Sequence, residues 1–216
     1  MSAIQVGLEA VPSIANATAK RVIDVAVSIA VLIVLSPVLL VVALLVRLSG
    51  RQIIFGHRRV GLSGRTFVCY KFRSMVPNAA EVLAHLLETD PAARREWEAS
   101  QKLKNDPRIT FIGKFLRKTS LDELPQLWNV IRGDMSLVGP RPVIEDELER
   151  YGAHRTYYLS VRPGVTGIWQ LSGRSDTGYD ERIAMDIEYV KNWSLRRDIE
   201  LILRTAFVPF RTSSAC

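Results

Sequence analysis

Between Asp24 and Arg47 run 22 consecutive residues without a formal charge, VAVSIAVLIVLSPVLLVVALLV, and they constrain everything else the chain can be. At about 1.5 Å per residue, a straight helix of this length matches the ~30 Å hydrocarbon core of a bilayer. No polar face interrupts the run, so it does not read as a core helix of a water-soluble domain. It is too long for a secretory signal, and no small-residue cleavage motif follows before Arg47 and Arg51. Ser36-Pro37 sits at its centre. Proline removes the hydrogen bond to the carbonyl of Ile33 and clashes with it, which predicts a kink, and the Ser36 hydroxyl is placed to satisfy the freed carbonyl. Each arm alone is too short to span. Two topologies remain: a kinked transmembrane helix, or a hairpin that enters and leaves on one side. Lys20 and Arg21 precede the run; Arg47, Arg51, Arg58 and Arg59 follow it. Positive flanks prefer the cytoplasmic side, and both flanks are positive, which favours the hairpin.

The 216 residues allow one compact domain plus this appendage. With 48% hydrophobic and 24% charged residues the chain is too apolar to be disordered. Two cysteines, Cys69 and Cys216, exclude a disulfide framework and a cysteine-based zinc site, and His57, His85 and His154 make no metal-spaced pair. The net charge is +7, and its location matters. Residues 47–80 hold seven basic side chains and no acidic one; the remaining 22 basic residues equal the 22 acids of the chain. Directly after a membrane segment, such a block suits anionic phospholipid headgroups or an anionic substrate. Nucleic acid is disfavoured, because no recognition helix or aromatic platform accompanies the charge.

The pattern predicts an α-rich α+β fold: a loose tail over 1–19, a membrane helix-break-helix over 20–50, a mostly helical domain over 51–210 and a short tail over 211–216. Strands are expected at 53–61 and 67–75 around Leu62-Ser63-Gly64. Helical segments are expected over 78–103 with a break at Asp90-Pro91, over 109–117, from Ser120 to about Ile131, over 143–158, over 179–192 and over 195–208. A short strand is expected at 167–171. In the last helix Leu195, Ile199, Ile202, Leu203 and Ala206 form one stripe, with Arg196, Arg197, Asp198 and Arg204 opposite. That stripe suits a membrane surface and a domain core equally.

Four stretches could carry chemistry. In Arg117-Lys118-Thr119-Ser120-Leu121-Asp122-Glu123, the Ser120-x-x-Glu123 spacing reads as a helix capping box. A cap explains Glu123 better than Asp122, and it leaves the bases upstream unexplained. Gly139-Pro140-Arg141-Pro142 fixes one arginine between two prolines, and a pre-ordered guanidinium loses less entropy on binding phosphate; a plain interhelical turn explains it as well. Arg162-Pro163-Gly164-Val165-Thr166-Gly167, with Gly173-Arg174, offers N–H groups, a hydroxyl and guanidiniums to an anion, though a glycine-rich loop alone is weak support. The basic segment 47–75 includes Lys71 and Arg73. Trp128, Trp169 and Trp193 read as core or interfacial aromatics.

Taken in order, these motifs carry a resemblance. Lys20-Arg21 before the Ser36-Pro37 hairpin, Tyr70-Lys71-Phe72-Arg73-Ser74-Met75, Ser120 to Gln126, Gly133 to Pro142 and Arg162 to Gly167 resemble the monotopic phosphoglycosyl transferases of the bacterial sugar transferase family, over about residues 20–208. The chain is similar to the short members that start exopolysaccharide assembly. Lacking the extra N-terminal membrane helices of larger members, it looks like a minimal catalytic unit. The resemblance implies transfer of a sugar 1-phosphate, of galactose or glucose, from a UDP-sugar to undecaprenyl phosphate with release of UMP. It implies Asp122 as nucleophile through a covalent aspartyl intermediate, and Glu123 as a ligand of magnesium (Mg2+). It implies that Arg117 and Arg141, with Pro140, hold the nucleotide or its phosphates, that Arg162, Pro163, Gly164 and Thr166 bind a phosphate, and that Lys71 and Arg73 contribute to substrate binding. A reentrant hairpin at Ser36-Pro37, interfacial amphipathic helices, a location on the cytoplasmic face of the bacterial inner membrane and compatibility with a homodimer also follow. The alternative is a non-catalytic membrane adaptor whose basic face docks on anionic lipid or polysaccharide.

Overall fold

The computed structural model describes residue 14 and residues 17–49, 52–100, 103–172 and 178–206. Of the loose tail expected over 1–19, residues 1–13 and 15–16 lie outside the described residues, but Ile14 is buried in the main core and a helix already begins at Thr18, so the end of that segment is part of the fold. The tail expected at 211–216, the end of the helix expected to reach 208, and Gly173-Arg174 lie outside the described residues.

The apolar run forms two helices, α1 (Thr18–Val34) and α2 (Ser36–Ser49), bent by 67° at the break. The Ser36 hydroxyl donates to the Ile33 carbonyl at 2.7 Å, the acceptor that Pro37 leaves without its helical partner. No single helix among the described residues is long and apolar enough to cross a membrane; the bent pair passes on length and composition only when its arms are taken together. The helix nevertheless gains a polar stripe, because it begins before the uncharged run: Lys20 and Asp24, which precede the run, and Ser28 within it, about one helical turn apart, are the buried residues of α1. Many of the apolar side chains point outward instead: Val34 and Leu40 are each 74% exposed. This burial pattern is the inverse of a water-soluble protein's, where the apolar stripe faces the core.

Two parts of the domain receive the hairpin. Helix α2 lays Val42 and Val46 on Phe72 and Leu116. Helix α1 uses its polar stripe: the Lys20 ammonium donates to Asp198 at 2.6 Å and to the Val138 carbonyl at 3.1 Å, and the Asp24 carboxylate accepts from the Ser136 hydroxyl at 2.7 Å and the Leu137 N–H at 3.1 Å.

Strands β1 (Ile54–Val60) and β2 (Thr66–Phe72) pair antiparallel across a tight turn at Leu62–Gly64, where Ser63 and Gly64 are left-handed. Helices α3 (Ala79–Thr89) and α4 (Pro91–Ser100) meet at the expected break, and the Asp90 side chain caps α4 through the N–H groups of Ala92 and Ala93. Helix α5 (Phe111–Thr119) is capped by Thr110, and α6 (Gln126–Arg132) ends on left-handed Gly133. The helix expected from Ser120 therefore starts six residues later, at Gln126, after a separate turn at Leu121–Glu123.

A second sheet was not expected. Strand β3 (Ser136–Val138) pairs parallel with β4 (Gly164–Thr166). Just past β3, the Gly139 N–H donates to Thr166 and the Gly164 N–H to Pro140, at 3.0 and 2.7 Å. A Cβ on Gly164 would collide with the Gly139 backbone, so the close crossing requires glycine. The strand expected at 167–171 is instead the helical turn α9 (Ile168–Leu171). The helix expected over 143–158 breaks at left-handed Gly152 into α7 (Glu145–Glu149) and α8 (Arg155–Leu159), joined by a short turn. Helices α10 (Tyr179–Lys191) and α11 (Leu195–Ala206) close the domain.

The main core gathers Leu127, Val130, Met135, Val138, Val161, Tyr189 and Leu201; a second cluster joins Val60 and Val143 to Tyr151, Tyr158 and Ile183. Helix α11 serves both surfaces at once. Leu201 and Asp198 face inward, which corrects the placement of Asp198 on the outer face, while Ile199 and Leu203 are exposed. Helix α5 likewise exposes Phe111 (86%) and Phe115.

Candidate functional site

The turn between α5 and α6 carries the two adjacent carboxylates. Helix α5 ends when Ser120 adopts φ 58°, a left-handed cap, and Leu121–Glu123 then make a single tight turn. Ser120 makes no side-chain cap to that turn, so the capping-box reading is wrong: a capping residue needs extended backbone, and Ser120 is left-handed. The Glu123 carboxylate reaches across to β2 and accepts from the Lys71 ammonium at 2.6 Å. Asp122 is buried. Burial, then the charge of Glu123, pushes its carboxyl up to about 6, while Lys71 and Arg117 pull it back down.

Arg117, on the last turn of α5, lies among Asp122, Asp106 and Arg108. Burial holds its guanidinium below the usual arginine range, and the two carboxylates act against that. Its Nε donates to the Ser74 hydroxyl at 2.9 Å. Ser74 also accepts the Thr110 N–H through its carbonyl, which ties the start of α5 to the chain just beyond β2. Gly113 makes that approach possible, since a Cβ there would overlap the Ser74 carbonyl. A second tie comes from Asn129 of α6, which is fully buried. Its amide oxygen accepts the Tyr70 N–H at 3.0 Å and its amide nitrogen donates to the Val68 carbonyl at 2.7 Å. Asn129 thus completes the edge of β2 beside Lys71 much as a neighbouring strand would. Lys71 shares a strand face with Cys69, whose buried thiol is pushed up to about 11 and has Lys71, Arg59, Glu123 and Arg141 as its charged neighbours.

Arg141 is thus one of the charged groups that bear on Cys69 of β2. Its guanidinium rests over the Trp169 ring at 5.6 Å and makes no hydrogen bond or ion pair among the described residues. Pro140 contributes its carbonyl to the β3–β4 crossing. The other predicted anion ligands are placed elsewhere. Arg162 donates from Nε to the Gly133 carbonyl and lies beside Arg21, whose guanidinium binds the Val130 and Ile131 carbonyls at the end of α6. The Pro163 carbonyl accepts from the Ser136 N–H, and the Gly164 N–H is spent on Pro140. The Thr166 hydroxyl pairs with that of Thr205 at 2.8 Å. Among the described residues the Gly164 N–H, the Thr166 hydroxyl and the Arg162 Nε are thus engaged in the β3–β4 pairing, with α11 and at the α6 terminus. Arg73 is also apart: it hydrogen-bonds Gln52 and lies over Phe55 at the base of the β1–β2 hairpin.

The core of the site is thus Asp122 and Glu123 with Lys71 and Arg117. Ser74, Gly113 and Asn129 place these groups and were missed by the sequence reading. Among the described residues no group of three or more carboxylate, histidine or cysteine side chains gathers to hold a metal ion. The two neighbouring carboxylates do fit a divalent cation that takes one or two protein oxygens and completes its shell with water and substrate phosphate, as Mg2+ does. A buried carboxylate opposed by the charge of its neighbour can then anchor a cation or attack an electrophilic phosphorus, with guanidinium and ammonium groups at hand to receive phosphate oxygens.

Comparison with known proteins identifies a family. The family model described as bacterial sugar transferase matches residues 15–212. An undecaprenyl-phosphate galactose phosphotransferase of Salmonella typhimurium is 56% identical over 196 residues, covering 91% of this chain and 41% of that protein. The exopolysaccharide production protein ExoY of Rhizobium meliloti is 50% identical over 87% of this chain and 83% of its own length. A UDP-glucose:undecaprenyl-phosphate glucose-1-phosphate transferase of Escherichia coli K12 is 37% identical over 93% of this chain and 42% of its own. The chain thus spans about two fifths of the length of the Salmonella and Escherichia proteins.

Proposed function

Because the chain belongs to the bacterial sugar transferase family, we propose that it moves a hexose 1-phosphate from a UDP-sugar to undecaprenyl phosphate as a membrane step of exopolysaccharide synthesis. The observation that carries this reading is the buried Asp122 set between Glu123, Lys71 and Arg117. In the first half-reaction an Asp122 carboxylate oxygen attacks the phosphorus that bears the sugar. A bond from oxygen to phosphorus forms, the bond from that phosphorus to the bridging oxygen breaks, and UMP leaves with that oxygen. In the second, a phosphate oxygen of the lipid attacks the aspartyl phosphosugar, and the Asp122 carboxylate is regenerated.

A carboxylate approaches an anionic diphosphate only when the repulsion is offset. Arg117, held by Ser74, and Arg141, held over Trp169, supply fixed positive charge that need not reorganise during the reaction. Lys71 keeps Glu123 in place, and Glu123, with substrate phosphate, would hold Mg2+. When bound, that ion supplies Lewis-acid neutralisation of the diphosphate. Splitting the transfer suits a soluble donor and a lipid acceptor, because each substrate visits the same carboxylate separately.

The inverted burial of α1 and α2 supports a membrane location, with their apolar faces in one leaflet and the domain on the cytoplasmic side. Exposed Phe111 and Phe115 of α5, and Ile199 and Leu203 of α11, suit the interface with phospholipid. Single cysteines placed at Gln5 and Gln52 should both be labelled from the cytoplasmic side; labelling from opposite sides would establish a span and exclude the hairpin.

A UMP-release assay on the full chain in membranes, with UDP-galactose and UDP-glucose as donors and undecaprenyl phosphate as acceptor, tests the reaction. Release should require the lipid for multiple turnovers and should stop when divalent cations are chelated, returning on addition of Mg2+. No release with any UDP-hexose would remove this reading and leave the adaptor alternative.

A further inference from the structure

The β1–β2 pairing runs one step past the ends of its strands, and that step places a cation at the foot of the membrane hairpin. The Arg73 N–H donates to the Ile53 carbonyl at 2.9 Å, next to the Ile54–Phe72 pair that closes the ladder. Side chains two residues apart on a strand point to the same face, about 6.5–7 Å from each other. Cys69, Lys71 and Arg73 therefore share one face, and Phe55, directly opposite Lys71, shares it with them. In keeping with that register, the Arg73 guanidinium lies over the Phe55 ring at 5.9 Å. Lys71 is bound to Glu123 at 2.6 Å. Arg73 thus stands outside the cluster around Asp122, but one strand step from the lysine that borders it.

The protein leaves Arg73 incompletely satisfied. Arg59 and Lys71 of the same sheet each pair with a glutamate, whereas Arg73 forms no ion pair among the described residues. Its side-chain hydrogen-bond partner is Gln52, a neutral amide. Its Nε is buried and has no hydrogen-bond partner. A guanidinium carries five donors in a fixed fork, and a buried donor left unmade is costly. An arginine that serves the fold alone is better supplied: Arg21 donates to two carbonyls at the end of α6, at 2.6 and 2.9 Å. What Arg73 lacks is a paired set of anionic acceptors, and a phosphate group provides one.

The surroundings indicate what carries that phosphate. Gln52 and Ile53 follow closely on α2, and Ile53 packs against the cluster that seats α2 on Phe72 and Leu116. Leu48, Ile54 and Phe55, in the chain to either side of Gln52, are exposed apolar side chains. A cation among exposed apolar groups, beside the end of a membrane arm, suits a phosphate borne on a hydrocarbon chain better than a free nucleotide. Bulk phospholipid would meet the same chemistry. The short step to Lys71 and Glu123 favours the acceptor lipid instead, because a phosphate held at Arg73 stands close to the carboxylate pair.

We propose that Arg73 binds the phosphate of the polyprenyl acceptor at the membrane end of the β2 face that bears Lys71. This rests on the reading that undecaprenyl phosphate accepts the sugar phosphate. Arg73 serves that substrate alone; the donor diphosphate meets Arg117 and Arg141. On binding, the guanidinium exchanges Gln52 for two phosphate oxygens, and its Nε gains an acceptor.

The test is steady-state UMP release by the full chain in phosphatidylcholine nanodiscs. Undecaprenyl phosphate is varied as a mole fraction of the lipid at saturating UDP-hexose, and the UDP-hexose is then varied at saturating acceptor. Arg73→Gln should raise the KM for undecaprenyl phosphate by about 10-fold or more, while the KM for the UDP-hexose stays within about threefold of wild type. A merely structural role would lower the active fraction and leave both KM values alone. Should Arg73→Gln fail to accumulate as folded protein, Arg73→Lys keeps the charge and loses the fork. It should still raise the acceptor KM several-fold, and a wild-type value for it would overturn the proposal. Equal rises in both KM values, or an unchanged acceptor KM in Arg73→Gln, would overturn it as well. In the latter case, weaker retention of Arg73→Gln on phosphatidylglycerol vesicles would assign the arginine to a phospholipid headgroup instead. A wild type inactive with every UDP-hexose would remove the proposed reaction, and this assignment with it.

Discussion

Replacing Asp122 with asparagine is expected to lower sugar-phosphate transfer by at least about 1,000-fold, the scale seen when a nucleophile is removed from a site that otherwise stays intact. Asparagine keeps the shape of the side chain and one of its acceptors. It also removes a buried charge that Glu123 opposes, so the variant should be as stable as the wild type or slightly more so. Denaturant unfolding and UMP release measured on the same preparation check both halves of this expectation. Loss of activity together with loss of folded protein would assign Asp122 a structural role. Activity within about tenfold of wild type would leave Asp122 as neither nucleophile nor essential base. Glu123→Gln should behave differently. It loses the ion pair with Lys71 and one hard oxygen charge, so its deficit should shrink as Mg2+ is raised.

The second large effect is expected far from the chemistry. Lys20→Met should destabilise the protein by about 3–5 kcal/mol, because it strands the buried Asp198 carboxylate. Among the described residues the Asp198 carboxylate then keeps the Tyr189 hydroxyl at 2.7 Å and the Trp193 indole N–H at 2.9 Å as its donors, and the Val138 carbonyl loses the donor supplied by α1. The Lys20→Met/Asp198→Asn double variant should recover much of that loss, since replacing both partners removes the unpaired charge. Urea unfolding in detergent, followed by the fluorescence of Trp193, reads the difference. A single variant within about 0.5 kcal/mol of wild type would mean that the Lys20–Asp198 pair does little to hold α1 to the domain, leaving Arg21, Asp24 and the apolar contacts to do so.

The parts of this fold that sequence reading reached are those set by local chemistry. Ser36-Pro37 announces a break because proline lacks an N–H, and the hydroxyl does bind the carbonyl so freed. Leu62-Ser63-Gly64 announces the hairpin turn because two successive residues must be left-handed there. What escaped was set by contacts distant in sequence. Strands β3 and β4 are three residues each, too short for a period-2 signal, and they read as loops until Gly139 and Gly164 are seen to cross. That crossing also makes Gly164–Thr166, in a stretch read from the sequence as a loop, a strand in space. Ser120 and Glu123 have the spacing of a capping box, but the serine ends one helix instead of starting the next, a distinction carried by one backbone angle. Asn129 was legible in principle. It is a polar residue between buried apolar neighbours of α6, Leu127 and Val130. A polar side chain in such a stripe is buried with a partner, and the partner here is the edge of β2 beside Lys71.

The central claim is that Asp122 carries the sugar phosphate between two substrates that need never meet. Intact-mass and peptide mass spectrometry of the full chain, incubated with UDP-hexose and Mg2+ without lipid acceptor and quenched under conditions that preserve acyl phosphates, tests it most directly. The account predicts a hexosyl-phosphate adduct on the peptide containing Asp122, discharged when undecaprenyl phosphate is added and absent from Asp122→Asn. An unmodified Asp122 peptide in a preparation that turns over rapidly once lipid is supplied would contradict it, and would point to direct transfer between bound substrates.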